Sequence, residues 1–368
     1  MRILYFFTFD YSLHTLKNSG SLDREIQYFE YMNKKYNHEF LLVTYGDDSD
    51  FEVIKESEAI KLLPIYTIFK KYNNKLLRYA SSFFYASKLK KLVETPDLIK
   101  QNQLMGCWVP IMYKFLSKKK LFIRTGYDMY TFSKKDSKPI LIQFLYFILT
   151  KFALASADIY SVSSIDDQKF LNTFKTTRKI ELLPNWVENL RKNNFKDRYR
   201  NKLLAVGRLE SQKNYPLLIK SFENSSLEID IYGDGSLKQE LTNLSKKYNV
   251  KINFLGKLNY NELKKEFQKY KIFISTSLFE GNPKSTMEAM SAGCIPVVLN
   301  IPNNRELITN EFNGYLFEPT DNLQQLVSKV LANIDKSIEV SEKSFEFIQD
   351  NYDIAKIGAK EIGLISNL

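Results

Sequence analysis

Apolar runs of strand length alternate with segments of helical period along this entire sequence, and that alternation leaves few architectures open besides a parallel sheet wrapped by helices. In the first half the apolar runs fall at Arg2 to Phe9, Glu39 to Tyr45, Ala59 to Leu63, Leu98 to Gln101, Leu121 to Arg124, Ile159 to Val162 and Ile180 to Leu183. A polar, charged stretch without clear period, Glu188 to Arg200, follows Pro184-Asn185-Trp186 and reads as a linker. The alternation then restarts at Lys202 to Val206, Glu228 to Tyr232, Lys251 to Phe254, Ile272 to Ser275 and Ile295 to Leu299. The expectation is an α/β chain of two doubly wound domains, with ligands at the carboxyl ends of the two sheets across a shared cleft.

The 368 residues, 44% of them hydrophobic, suffice for two domains that each bury a core. Two cysteines, Cys107 and Cys294, both among apolar neighbours, read as buried thiols in a reducing compartment rather than a disulfide framework. The opening MRILYFFTFD meets Asp10 too soon for a secretion signal and reads as a first strand. The greasiest segment, Ile140 to Ala155, contains Gln143 and Lys151 and falls short of the roughly 20 apolar residues that span a bilayer.

The net charge of +11 is unevenly placed. Lys61 to Lys138 holds 17 Lys and Arg against Glu94, Asp97, Asp128 and Asp136, so this stretch alone carries +13. Lysines there alternate with aromatics, as in Phe69-Lys70-Lys71-Tyr72 and Tyr113-Lys114-Phe115, before the run Lys118 to Lys120. Such a face suits an anionic membrane surface. The competing reading is solvated lysines on helices whose aromatic side is core. Nucleic acid is not expected as a partner.

Chemistry concentrates in the second half. The run Lys202 to Val206 leads into Gly207-Arg208-Leu209-Glu210-Ser211-Gln212-Lys213 and then a helix. A guanidinium and an ammonium at a strand's carboxyl end, before a helix N-terminus, suit a diphosphate, and Arg208 and Lys213 can do there what a divalent metal does elsewhere. The next strand ends in Gly233-Asp234-Gly235, where glycine permits a close ligand approach. Further on, Glu280-Gly281-Asn282-Pro283-Lys284-Ser285-Thr286-Met287-Glu288 spaces two glutamates eight positions apart, one on a loop and one in the following helix. Ionised glutamates accept from sugar hydroxyls while loop amides meet phosphate.

This combination resembles the E-x7-E motif of the retaining GT-B glycosyltransferases, the group 1 family related to glycogen synthase and bacterial cell-surface sugar transferases. VGRLESQKNYPLLIKSF, IYGDGSLKQEL and FLGKLNYNELKKEF precede the motif in the family's usual order, and NNRELI and NGYLFEP follow it. The likeness is strongest over Leu203 to Pro319, with Ser156-Ala157-Asp158 to Ser163 and Leu183 to Val187 resembling the first domain's closing segment.

The resemblance implies a GT-B fold: residues 1–190 as an acceptor-binding domain, 191–350 as a nucleotide-sugar-binding domain, and 351–368 as a helix crossing back, with closure about a hinge near Glu188 to Arg200. It implies that Arg208 and Lys213 hold the donor diphosphate, Glu280 faces the transferred sugar and Glu288 takes the ribose hydroxyls. Gly207, Gly233 and Asp234 belong with the donor site, and Asn282, Pro283, Lys284 and Ser285 form its phosphate loop. Gly20, in Asn18-Ser19-Gly20-Ser21, matches the family's glycine-rich amino-terminal loop in part. Many relatives place a His near the reacting sugar after the fifth strand, whereas this chain reads Arg124-Thr125-Gly126-Tyr127-Asp128, so Tyr127 or Asp128 is expected to orient donor or acceptor. His14 is expected to line the cleft and His38 to lie at the surface.

The implied function is transfer, with retained configuration, from a UDP-, GDP- or ADP-sugar to a hydroxyl of a glycan or lipid-linked glycan in bacterial surface polysaccharide synthesis. Neither metal nor cofactor is expected beyond the donor, and the expected location is cytoplasmic, peripheral at the inner membrane face. The alternative is a catalytically inactive GT-B-fold protein that binds glycan or polyanion.

Overall fold

The computed structural model describes residues 1–368 except 175, 177, 178 and 192. The chain forms two compact units, residues 1–184 with 358–368 and residues 185–357. Each is built on one parallel sheet.

The first sheet holds β1 (Arg2–Phe6), β2 (Glu39–Thr44), β3 (Ile60–Pro64), β4 (Leu98–Asn102), β5 (Lys120–Thr125), β6 (Ile159–Val162) and β7 (Ile180–Leu182). Their spatial order is β3-β2-β1-β4-β5-β6-β7. Every pairing is parallel, in register Ile3 with Phe40 on one side of β1 and Ile3 with Leu98 on the other. Most of these strands read as largely apolar runs, as buried parallel strands do. The core runs from Leu4 and Phe6 through Ile99, Ile111, Leu121 and Ile123 to Val162. Cys107 lies fully inside it, as its apolar neighbours implied.

The second sheet holds β8 (Tyr199–Val206), β9 (Glu228–Tyr232), β10 (Lys251–Gly256), β11 (Tyr270–Ser275), β12 (Ile295–Leu299) and β13 (Tyr315–Phe317), in the order β10-β9-β8-β11-β12-β13. It too is wholly parallel. The two sheets are therefore the doubly wound α/β architecture that the alternation predicted. In each, strand order reverses beside the first strand of the unit: between β1 and β4, and between β8 and β11. Ligands of open parallel sheets bind outside the carboxyl ends of the strands at such a reversal.

The polar stretch expected as a linker is part of the second unit. Leu190, Phe195 and Arg198 are buried, Phe195–Asp197 forms a 3-10 turn, and β8 begins at Tyr199, three residues earlier than its apolar pattern shows. Arg198 explains the packing of a charged segment: its guanidinium donates to the carbonyls of Tyr270 at 3.2 Å and Ala292 at 2.7 Å. Lys192, within that stretch, lies outside the described residues.

The helix Ile354–Ser366 passes from one unit to the other along the chain, and its residues from Gly358 onward count with the first. There Glu361 pairs with Lys100 of β4, both side chains 2% exposed. Gly358 lets the helix approach closely, since a Cβ there would stand 3.0 Å from the Tyr31 ring.

Candidate functional site

At the carboxyl end of β8, Gly207 brings the chain against the side chain of Lys213. A Cβ on Gly207 would lie 2.8 Å from Lys213 Cε, so only glycine lets the lysine stem cross the strand end here. The 3-10 turn Ser211–Lys213 and the helix Tyr215–Ser221, with Asn214 in the left-handed region between them, set that lysine in place. Tyr215 is buried beneath, its hydroxyl donating to the Gly207 carbonyl at 3.2 Å.

The neighbouring β9 loop is fastened to the first. Gly207 N donates to Tyr232 O at 3.0 Å, Leu209 N to Asp234 O at 3.0 Å, and Ser236 donates from its backbone and hydroxyl to Glu210. Gly233 sits so close that a Cβ would fall 1.9 Å from the Gly207 carbonyl oxygen, and one on Gly235 2.5 Å from the Leu209 carbonyl. The glycines flanking Asp234 are thus required by loop-to-loop contact. Asp234 itself is exposed beside them.

Across the strand-order reversal, the loop leaving β11 carries Glu280. Thr276 Oγ1 donates to the carbonyls of Lys213 and Asn214 at 2.9 and 3.0 Å, Leu278 N donates to Gln212 O, and Gln212 Nε2 donates to Phe279 O. These bonds fix the two loops to each other. Between them Lys213 Nζ meets Glu280 Oε1 at 2.5 Å, with side chains 16% and 14% exposed. The Arg208 guanidinium stands exposed on the same loop as Lys213 and makes no ion pair among the described residues.

The loop continues through Gly281, Asn282 and Pro283 into the helix Lys284–Ser291. Asn282 is buried and held by Asn185, whose N donates to Asn282 Oδ1 at 2.9 Å and whose Nδ2 donates to Asn282 O. Asn303 Nδ2 donates to Gly281 O at 2.6 Å. Pro283 precedes the helix and offers no capping side chain, which leaves the positive end of the helix at Lys284 and Ser285 without one. Glu288 is buried one turn in, 6% exposed.

Gly207, Arg208, Lys213, Gly233, Asp234, Glu280, Asn282, Pro283, Lys284, Ser285 and Glu288 therefore all belong to the second unit, on the loops after β8, β9 and β11 and the helix that follows. The residues that fix those loops, Asn185, Gln212, Thr276 and Asn303, carry no signal in their sequence spacing. Each acts through one or two hydrogen bonds to a segment distant in sequence.

Gly20, Tyr127 and Asp128 belong to the first unit, on separate loops. Gly20, at φ 73°, makes the left-handed turn between the helices Leu13–Asn18 and Leu22–Tyr36. Tyr127 is 37% exposed and packs on Phe132, ring centroids 4.3 Å apart. Asp128 caps the helix Met129–Lys135, accepting from Thr131 N at 2.7 Å, and burial pushes its pKa up. His14 is exposed, its Nε2 3.3 Å from the Ser49 carbonyl oxygen. The surface position expected of His38 is corrected: it is 4% exposed, because its ring fills the space between Tyr36 and Phe40. Among the described residues, no group of three or more His, Cys, Asp and Glu is placed to hold a metal ion.

Comparison with known proteins meets this geometry. Residues 187–347 match the family described as glycosyl transferases group 1. Over 187 residues the chain is 30% identical to UDP-Gal:alpha-D-GlcNAc-diphosphoundecaprenol alpha-1,3-galactosyltransferase of Escherichia coli, covering 45% of this chain and 48% of that protein. Over 148 residues it is 30% identical to the GtfA subunit of UDP-N-acetylglucosamine--peptide N-acetylglucosaminyltransferase of Streptococcus agalactiae, covering 38% and 29%. The chain thus spans less than half the length of these relatives. Among solved structures, sucrose-phosphate synthase from Thermosynechococcus elongatus superposes with a TM-score of 0.80 at 14% identity, covering 100% of this chain and 99% of that one. Anabaena HepE in complex with UDP and glucose does so at 0.77 and 15%, covering 100% of both. Residues 187–347 are accordingly a glycosyl transferases group 1 domain, carried by a chain of the GT-B fold.

Proposed function

We propose that the protein transfers a sugar from a nucleoside-diphosphate sugar to a hydroxyl of a glycan or lipid-linked glycan, with retention of configuration and without a metal. The observation that carries this reading is the Lys213–Glu280 pair at the reversal between β8 and β11, with Arg208 beside it. A monosaccharide alone would not call for two cations at a strand end, whereas a diphosphate does. The Escherichia coli relative's name, which includes a UDP-sugar and a diphosphoundecaprenol-linked sugar, supports the donor and acceptor classes. A bacterial surface-glycan setting is part of the same reading.

In the proposed step the bond between the sugar's C1 and the diphosphate oxygen breaks, and the acceptor oxygen bonds C1 on the same face. The acceptor's proton passes to the departing phosphate oxygen. Arg208 and Lys213 stabilise the charge that develops there, and preorganised charges of this kind are usually the largest contribution to catalysis. Glu280, fixed by Lys213, orients the transferred sugar, and Glu288 accepts from the ribose hydroxyls. Gly20 and Tyr127 are further proposed donor and acceptor contacts, and Asp128 holds the start of the helix after Tyr127. The enzyme works in the cytoplasm, peripheral to the membrane that presents its acceptor.

The test is incubation with UDP-, GDP- and ADP-sugars and a lipid-linked glycan acceptor, followed by proton NMR of the product's anomeric centre, with and without EDTA. Transfer from one donor class with the donor's anomeric configuration kept, undiminished by EDTA, supports the proposal. An inverted product, or binding of donor with no transfer to any acceptor, overturns it, the latter in favour of an inactive binding protein.

A further inference from the structure

The helix Ile140–Ser156 of the first unit is amphipathic the wrong way round for a helix facing water. Its inward side is narrow: Thr150, Ala153, Leu154 and Ser156 are buried. Its outward side carries Ile140, Leu141, Phe144, Leu145, Ile148 and Phe152, all exposed, with Ile140 at 83% and Leu141 at 69%. Leu141, Leu145, Ile148, Phe152 and Ala155 recur at steps of four and three, which is one continuous stripe along a helix about 25 Å long. Soluble monomers seldom leave a contiguous apolar surface of this size open.

The stripe does not stand alone. The helix Trp108–Ser117 packs between this helix and Tyr85–Leu92, and it adds exposed Phe115 and Leu116, while Phe84 and Leu92 are exposed at the ends of Tyr85–Leu92. Lys114 ties the first two together, donating to the Ser156 carbonyl at 2.7 Å. The segments that carry these apolar residues also carry exposed lysines: Lys134, Lys135 and Lys138 just ahead of the stripe, the last paired with Asp136, Lys151 within it, and Lys90 and Lys91 on Tyr85–Leu92. No helix among the described residues is long and apolar enough to cross a membrane. This one is also held to its unit by its buried side, where Ala153 and Leu154 belong to the core.

We propose that this face seats the protein on an anionic phospholipid bilayer, with the helix Ile140–Ser156 lying in the plane of the interface and the lysines on the headgroups. The proposal rests on the peripheral location put forward above and assumes nothing about catalysis. Charge decides the occupant: apolar side chains on segments that also expose lysines match acyl chains beneath negative headgroups, whereas a second copy docking on the same face would bring like charges together.

The test is sedimentation of the full chain with vesicles of phosphatidylcholine alone and of phosphatidylcholine mixed with phosphatidylglycerol. Two variants accompany it: Leu141→Glu/Leu145→Glu/Ile148→Glu, and Lys134→Ala/Lys135→Ala/Lys138→Ala. Thermal melting checks that both fold, and light scattering reports their mass. The wild type is expected to bind the anionic vesicles and release with salt, the glutamate variant to lose binding, and the alanine variant to bind roughly a hundredfold more weakly, at about fivefold per lysine. Anionic-vesicle binding that the glutamate variant retains would overturn this surface but leave the peripheral location standing. Absence of binding by the wild type would overturn both. A wild-type dimer that the glutamate variant converts to monomer would assign the face to self-association instead.

Discussion

Replacing Lys213 with alanine separates what this residue does for the fold from what it does for transfer. Its ammonium lies 2.5 Å from Glu280, and the two side chains are 16% and 14% exposed. Breaking a fully buried pair costs about 3–5 kcal/mol, and an exposed pair contributes about 0–1. A pair this shielded, yet open at one edge, falls between, at about 2 kcal/mol. In a unit of this size each kcal/mol moves Tm by about 2–4 °C, so Lys213→Ala should melt about 4–8 °C lower. The kinetic effect should be larger, because removing one preorganised charge from a developing anion costs about 10²–10³ in kcat. The assay is steady-state release of nucleotide from the preferred donor, run beside thermal melting on Lys213→Ala and on Lys213→Ala/Glu280→Gln. The double variant no longer leaves a carboxylate uncompensated, so it should recover most of the lost Tm and none of the lost rate. A folded Lys213→Ala enzyme within about threefold of wild-type kcat/KM would refute the assigned role, since it is far below the effect of a preorganised charge. So would a double variant that regained the rate.

Other outcomes follow from the same structure. Gly233→Ala should lower Tm sharply, because its Cβ would overlap the Gly207 carbonyl oxygen at 1.9 Å, and should weaken donor binding in whatever protein still folds. Lys100→Met should destabilise by about 3–5 kcal/mol by leaving Glu361 buried and unpaired, and Lys100→Met/Glu361→Met by markedly less; urea titration of both reads it. Burial raises the Asp167 pKa to about 7, so the folded chain holds a proton that the unfolded chain releases near pH 4. This group's contribution to stability is therefore lost as pH rises from about 4 to 7, and Asp167→Asn should raise Tm relative to wild type at pH 8 more than at pH 4, as melting curves at the two pH values would show.

The sheets were legible because a strand covered on both faces must be largely apolar, and runs such as Ile159–Val162 and Ile295–Leu299 announce themselves with their ends. β13, Tyr315–Phe317, was not read from the sequence. The segment before β8 misled for a different reason. Its charge density signals solvent, yet Arg198 is buried with its two terminal guanidinium nitrogens donating to backbone carbonyls, and no pattern in the chain reveals where those carbonyls lie. The candidate site was readable where chemistry is dense in sequence, from Glu280 to Glu288. Its supports were not, because Asn185 and Asn303 reach it from distant positions. The outward apolar stripe of Ile140–Ser156 escapes reading as well. Periodicity gives the stripe's existence, but only the packing shows that it faces away from the core.

If Arg208 and Lys213 on the loops after β8 and β11 bind a nucleoside diphosphate, calorimetric titration of UDP, GDP and ADP into the wild type, Arg208→Ala and Lys213→Ala, each with and without EDTA, will show it. The wild type should bind one diphosphate, undiminished by EDTA, and each variant should lose at least about tenfold in affinity, in line with charge-assisted bonds of about 1.5–3 kcal/mol. Binding that disappears with EDTA, or that both variants retain in full, would contradict it.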